Sequence, residues 1–289
     1  MTTCVATVCD DGKAIVLVAD KMVGVGFIES ELEITKMRPI HKDWWMLFAG
    51  DDISPVFDIV DKARNKIGKG PTATIEEVQE AVRLAFEEKR QEEAVTLFLT
   101  PIGWDMERFH KEGSALLPDF AQIKDKIADY RIGIELLVAG FDAGKGYVFS
   151  LYGHGEKPGI TNRRDIPGFD AIGTGSTGAT YMMYYRDCSP KMTIREAVYY
   201  SLEGKYFGEQ AGGVSESTDL FIARPGCELL QLNDEETIEK KLIPICRALS
   251  PNPMRRRDRD VINKLSELGA LPLIEEPKKK SKSLAPKGK

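Results

Sequence analysis

Residues Ala14-Ile15-Val16-Leu17-Val18-Ala19 form an unbroken apolar run closed by Asp20. A run of that length reads as a strand covered on both faces. Sixteen residues beyond Asp20, Lys36 stands between Ile34-Thr35 and Met37 in a second, otherwise apolar hairpin. A lysine in apolar surroundings is costly unless an anion meets it, and Asp20 is the carboxylate placed to do so. On that reading Asp20 and Lys36 form a buried pair. A surface lysine on an edge strand, and an aspartate that merely caps a turn, are the plainer alternatives.

The same fifty residues hold the parts of a reaction. Met1 precedes Thr2, and trimming of an initiator methionine is expected before a small residue; with no propeptide ahead of it, Thr2 would then carry a free α-amine. A hydroxyl is a poor nucleophile near neutrality and needs a proton acceptor, for which an α-amine of pKa about 7.7–8.0 is suited. An Asp20–Lys36 pair beside that hydroxyl would lower its proton affinity and orient it. The strand Trp44-Trp45-Met46-Leu47-Phe48-Ala49 ends in Gly50, whose N–H is free to approach a substrate carbonyl and hold a developing oxyanion.

Thr2-Thr3, Asp20 after its hydrophobic strand, Lys36 in an Ile-Thr-Lys context and Ala49-Gly50 fourteen residues later resemble the proteasome β-subunit family of N-terminal nucleophile hydrolases. Downstream, Glu135-Leu136-Leu137-Val138-Ala139-Gly140-Phe141-Asp142 is similar to that family's central strand. Ala171-Ile172-Gly173-Thr174-Gly175 is similar to its Gly-Ser-Gly turn, and Ala211-Gly212-Gly213 to its Gly-Gly turn. The resemblance covers roughly residues 2–230. It implies a threonine-type peptidase acting on unfolded polypeptide inside a homo-oligomeric ring, fed by an ATP-dependent unfoldase and needing no cofactor. Carried over residue by residue, Thr2 is the nucleophile, Asp20 and Lys36 tune and orient it, Gly50 supplies the oxyanion N–H, and Thr174 supports the terminal amine. Lys21 and Met22 fall near the expected specificity pocket. The family places an Asp and a Ser near the amine where this chain has Gly208 and Ala211, leaving Glu209 as the nearest carboxylate. That departure keeps two alternatives open: a non-catalytic structural subunit, and an amidase of the same superfold acting on a small molecule.

The remaining pattern is one of layers. Hairpins are expected over residues 2–19, turning at Asp10-Asp11-Gly12, and over 27–49 around Pro39. A helix follows over 53–69, and a capping box at Thr74 and Glu77 opens a second, reaching about residue 93. Residues 95–99 fit a strand or a continued helix, and 104–131 read as a charged, weakly periodic insertion. Strands are expected over 134–139, 147–152 and 169–172, then helices over 177–186 and from the capping box at Thr193 and Glu196, short strands over 220–223 and 229–232, and a closing helix over 237–249. Strands, helices, strands, helices and strands in that order imply an α+β fold, a four-layer αββα sandwich of two mostly antiparallel sheets.

Charge divides the chain. Residues 250–289 carry 11 Lys/Arg against 5 Asp/Glu, net +6, which leaves residues 1–249 at −11 within a whole-chain charge of −5. The expectation is one domain over 1–249 and a basic, unfolded, solubilising tail rather than a nucleic-acid element. No window approaches the roughly 18–20 apolar residues of a membrane span, and no basic-then-apolar leader is present, so a cytoplasmic location is expected. Five cysteines without CxxC spacing argue for reduced, buried thiols, and His41, His110 and His154 form no metal-like cluster. Gly173-Thr174-Gly175-Ser176-Thr177-Gly178 matches a dinucleotide fingerprint, yet the acidic residue at the right distance, Glu196, belongs to a helix cap instead of a strand end.

Overall fold

The computed structural model describes residues 2–25, 28–31, 35–153, 159–211, 214–215 and 217–232. β1 (Cys4–Cys9) and β2 (Ala14–Asp20) make the first hairpin, and every residue of both is buried. Their lack of polar alternation has a simple cause, since they occupy the middle of a sheet covered on both faces. That sheet also contains β10 (Phe169–Ile172), β11 (Thr218–Ala223) and β12 (Leu230–Gln231), in the antiparallel order β10-β1-β2-β11-β12.

The second sheet is built from β5 (Met37–His41), β6 (Trp44–Gly50), β7 (Ile134–Asp142), β8 (Lys145–Tyr152) and β9 (Thr161–Arg163), again antiparallel and in chain order. The expected hairpin over 27–49 is corrected here. Pro39 lies inside β5 rather than in a turn, because β5 is an edge strand whose outer N–H groups need no ladder partner, and the register slips between Pro39 and His41. β3 (Met22–Val25) and β4 (Ile28–Glu31) pair with each other as a separate ribbon. Phe27 and Ile34 lie outside the described residues.

Helices cover the outer faces. α1 (Ser54–Ile67) and α2 (Ile75–Phe98) cover the second sheet, where Val56, Val60, Val82 and Phe86 meet Met46, Phe48, Leu136 and Val138. α5 (Ser176–Tyr185) and α6 (Ile194–Gly208) cover the first, where Met183, Val198 and Leu202 meet Val16, Val18, Leu220 and Ile222. Between the sheets, Ala6, Val8 and Leu17 face Leu47, Leu137 and Ala139. Neighbouring residues of one strand thus enter different layers, as the two-residue period of a pleated strand requires. Each large side chain so buried contributes about 1.5–3 kcal/mol. The four layers are the αββα sandwich expected from the element order.

Both expected capping boxes form, at Thr74 with Glu77 and at Thr193 with Glu196. α2 runs on through the ambiguous 95–98 segment. The charged stretch after it holds two further helices, α3 (Met106–Leu116) and α4 (Phe120–Asp129), around a small cluster of Ala94, Leu99, Phe109 and Ile127. α3 buries only Phe109 and Gly113, and α4 only Ile127, yet both carry their apolar residues on one face at the helical period, which corrects the expectation of weak periodicity. Cys4, Cys9 and Cys188 are buried, but Cys227 is exposed, which corrects the expectation of uniformly buried thiols. The closing helix, Cys246, His154 and the basic tail fall outside the described residues.

β6 and β7 approach closely at Gly140, where a Cβ would lie 2.3 Å from the Trp44 ring. Gly140→Ala is therefore expected to destabilise the protein by about 1–3 kcal/mol through overpacking, read as a lowered urea midpoint at unchanged m value.

Candidate active site

Thr2 and Thr3 lead into the central strand β1, so whatever β1 pairs with surrounds them. On one side is the end of β2. Asp20 receives the Thr3 N–H on Oδ1 at 3.0 Å and donates its own N–H to the Thr3 carbonyl at 3.2 Å. On the other side is the turn after β10. There Gly175 donates its N–H to the Thr2 carbonyl at 3.2 Å. Gly173 has φ +89°, and a Cβ on it would sit 2.2 Å from the Thr2 carbonyl oxygen; a Cβ on Gly175 would sit 2.0 Å from Thr3 Oγ1. The glycines are explained by contact with two threonines. β10 runs antiparallel to β1, so the dinucleotide-like spacing belongs to no parallel βαβ unit.

Lys36 comes from the other sheet. It precedes β5, and its carbonyl accepts the Phe48 N–H at 3.3 Å, which fixes it to β6. From there its ammonium crosses the space between the sheets, donating to Asp20 Oδ1 and Oδ2 at 3.0 and 3.1 Å and to Thr2 Oγ1 at 2.5 Å. Lys36 is 1% exposed, Asp20 0% and Thr2 4%, so little water screens the group. In such surroundings a charge is tolerable only when paired and hydrogen-bonded, and here the three residues satisfy one another.

Beside Thr2 opens a cavity of about 310 Å³, walled by Ala49, Gly50 and Asp51 at the end of β6, Gly133 and Glu135 at the start of β7, and Gly173 and Thr174 of the turn. Backbone N–H groups alternate in direction along a strand. Gly50 therefore points its N–H the same way as Phe48, toward the edge from which Lys36 enters. Gly50 also has a packing reason to be glycine, since a Cβ would lie 2.7 Å from the Gly133 carbonyl. Thr174 is exposed on the cavity wall. Thus Thr2, Asp20 and Lys36 are in direct contact, while Gly50 and Thr174 face the same space.

Lys21 does not line the cavity, and its Nζ lies 3.7 Å from Asp219 Oδ1. Gly208 backs onto Thr3, and a Cβ there would fall 2.7 Å from Thr3 Oγ1, so no larger residue fits at that position without displacing Thr3. Glu135, at the start of the β7 motif, has a role that the sequence motif does not convey. Its Oε2 accepts the Gly173 N–H at 2.7 Å, tying β7 to the turn that clamps Thr2. The signal was available: an acidic residue in register with Leu137 and Ala139 on the inner face of a strand. Among the described residues, no three His, Cys, Asp or Glu side chains are grouped to share a metal ion.

Cys4 is the neighbouring group that could compete as a nucleophile. Burial pushes its thiol well above the usual range, outweighing the lowering effect of Lys36, and its Sγ lies 3.7 Å from the Phe48 carbonyl oxygen it donates to. It is a neutral, enclosed thiol.

Two packed antiparallel sheets between helical layers make a four-layer α+β sandwich, with a threonine beside a buried Asp–Lys pair at the mouth of a cavity. Among solved structures the fold is similar to the crystal structure of eukaryotic HslV from Trypanosoma brucei, with a TM-score of 0.51 over 77% of this chain and 99% of that one at 18% identity. At that identity the likeness is one of fold. No family model matches the sequence, and no curated protein does.

Two measurements follow from this geometry. Lys36→Met leaves Asp20 buried without its cation and is expected to cost about 3–5 kcal/mol in denaturant unfolding, much of it recovered when Asp20→Leu is added. Iodoacetamide at pH 8 is expected to label Cys227 and to spare Cys4, Cys9 and Cys188 in the native protein, because burial keeps those three thiols protonated, Cys188 being pushed up to about 12. Peptide mapping by mass spectrometry reads the difference.

Proposed function

We propose that this protein is a threonine peptidase in which Thr2, once it is the N-terminal residue, cleaves peptide bonds of unfolded polypeptide. The observation that carries the reading is the 2.5 Å contact between the Lys36 ammonium and Thr2 Oγ1, with Asp20 behind the lysine. The ammonium stabilises negative charge building on Oγ1, and the carboxylate keeps the lysine in place.

Thr2 Oγ1 attacks the scissile carbonyl while its proton passes to the Thr2 α-amine, directly or through one water. The Gly50 N–H receives the oxyanion. As the C–N bond breaks, the α-ammonium returns the proton to the departing amine, leaving an ester on Oγ1. Water, activated by the same amine, then hydrolyses the ester and regenerates the hydroxyl. Thr174, on the cavity wall, supports the amine.

The resemblance of the motifs over residues 2–230 to proteasome β-subunits supports a subunit that assembles with further copies into a ring and receives its substrate from an ATP-dependent partner. Whatever segment precedes Thr2, Met1 included, must be absent from the active form.

The active protein is expected to show Thr2 as its first residue by intact mass. Cleavage of fluorogenic peptides should rise across about pH 7–8 as the α-amine loses its proton. Thr2→Ala should lower kcat/KM by at least about 10³-fold and abolish the β-lactone adduct that wild type forms. Unchanged cleavage by Thr2→Ala would overturn the assignment.

A further inference from the structure

α6 ends in a second buried lysine that the reaction above does not use. Lys205 is 1% exposed, and its ammonium donates to Glu209 Oε1 at 2.5 Å, to the Ser215 carbonyl at 2.6 Å and to the Ser217 carbonyl at 3.4 Å. An ammonium has three protons to donate, and each of these oxygens is an acceptor it can meet. Two of the acceptors belong to the segment that leads from α6 into β11. The lysine therefore acts as an internal cation, joining the helix end to that segment.

The far side of the segment touches Asp20. The Ser215 N–H points at Asp20 Oδ2 at 3.5 Å, and the Ser217 N–H closes the turn on Ser215 Oγ at 2.9 Å. Thr218, the next residue, stands opposite Asp20 in the β11–β2 ladder. Asp20 is thus held on one side by Thr3 and Lys36, and on the other by a segment whose carbonyls Lys205 holds.

We infer that Lys205 and Glu209 are a positioning pair that fixes Asp20, and through it the Lys36 ammonium against Thr2. This rests on the threonine-nucleophile reading and adds residues to its site. A buried ion pair is a poor source of net stability, since an apolar pair of similar bulk commonly serves as well or better. An apolar pair cannot donate to two backbone carbonyls. Packing and positioning are therefore separable by substitution.

The experiment compares full-length wild type, Lys205→Met and the double variant Lys205→Met/Glu209→Leu. Three quantities are read: the thermal midpoint, the rate of Thr2 acylation by a β-lactone followed by intact mass, and the ¹⁵N-lysine NMR signal of Lys36 Nζ, assigned by its loss in Lys36→Met. Positioning predicts that the double variant keeps its thermal midpoint within a few degrees, acylates at least tenfold more slowly with little change in inhibitor affinity, and shifts the Lys36 signal. An unshifted Lys36 signal together with a wild-type acylation rate would overturn the inference. If wild-type Thr2 is not acylated at all, the peptidase reading fails, and the Lys36 signal alone still decides whether Lys205 positions that group. Should Lys205→Met fail to fold, the double variant supplies the same readings without an unpaired buried carboxylate.

Discussion

A fully buried ion pair ties the two sheets of this molecule together. Asp20 ends a strand of the first sheet, Lys36 enters from the edge of the second, and they meet with almost no water between them. Neither residue can change sheet or register without leaving a charge buried alone, which is far more costly than losing a surface pair. The pair therefore fixes how the sheets are stacked at that end. The apolar layer between them does not, because Leu17, Leu47 and Leu137 would tolerate many small displacements. It also fixes where a hydroxyl must lie to complete the lysine's hydrogen bonding, and Thr2 is there.

Close backbone approach supplies the second constraint. Thr2 and Thr3 are gripped on one side by the Asp20 backbone and carboxylate and on the other by Gly173 and Gly175, whose missing side chains let the turn lie against them. Glu135 ties that turn to the second sheet, as Lys36 ties the strand end to it. The reactive atoms are thus carried on strand ends held from both sheets, a more exact support than a loop provides. The same closeness explains Gly208, since the room a family aspartate would need is filled by Thr3.

Much of the architecture was legible because it followed from local chemistry. Fully apolar runs became central strands, and Thr74-to-Glu77 and Thr193-to-Glu196 became helix caps, since these signals depend on neighbours along the chain. The errors fell where distant partners decide. Pro39 looked like a turn because its missing N–H rules out a central strand, but an edge strand accepts it. The 104–131 helices do carry an apolar stripe at the helical period, but their short length and many charged residues masked it. Cys227 is the exception, since Pro225-Gly226 beside it is a turn signal that places it in the connection between two strands.

For the candidate site, the sequence by itself determined which carboxylate could answer the lysine if both are buried, because burial of either alone is prohibitive. It also marked which strand ends would carry a threonine and a glycine to them. Tertiary structure alone decided which hydroxyl the lysine touches, that Glu135 braces the glycine turn, and that Lys205 anchors the segment beside Asp20. Each of those contacts joins residues from elements far apart in the chain, and their distances are set only when the four layers pack.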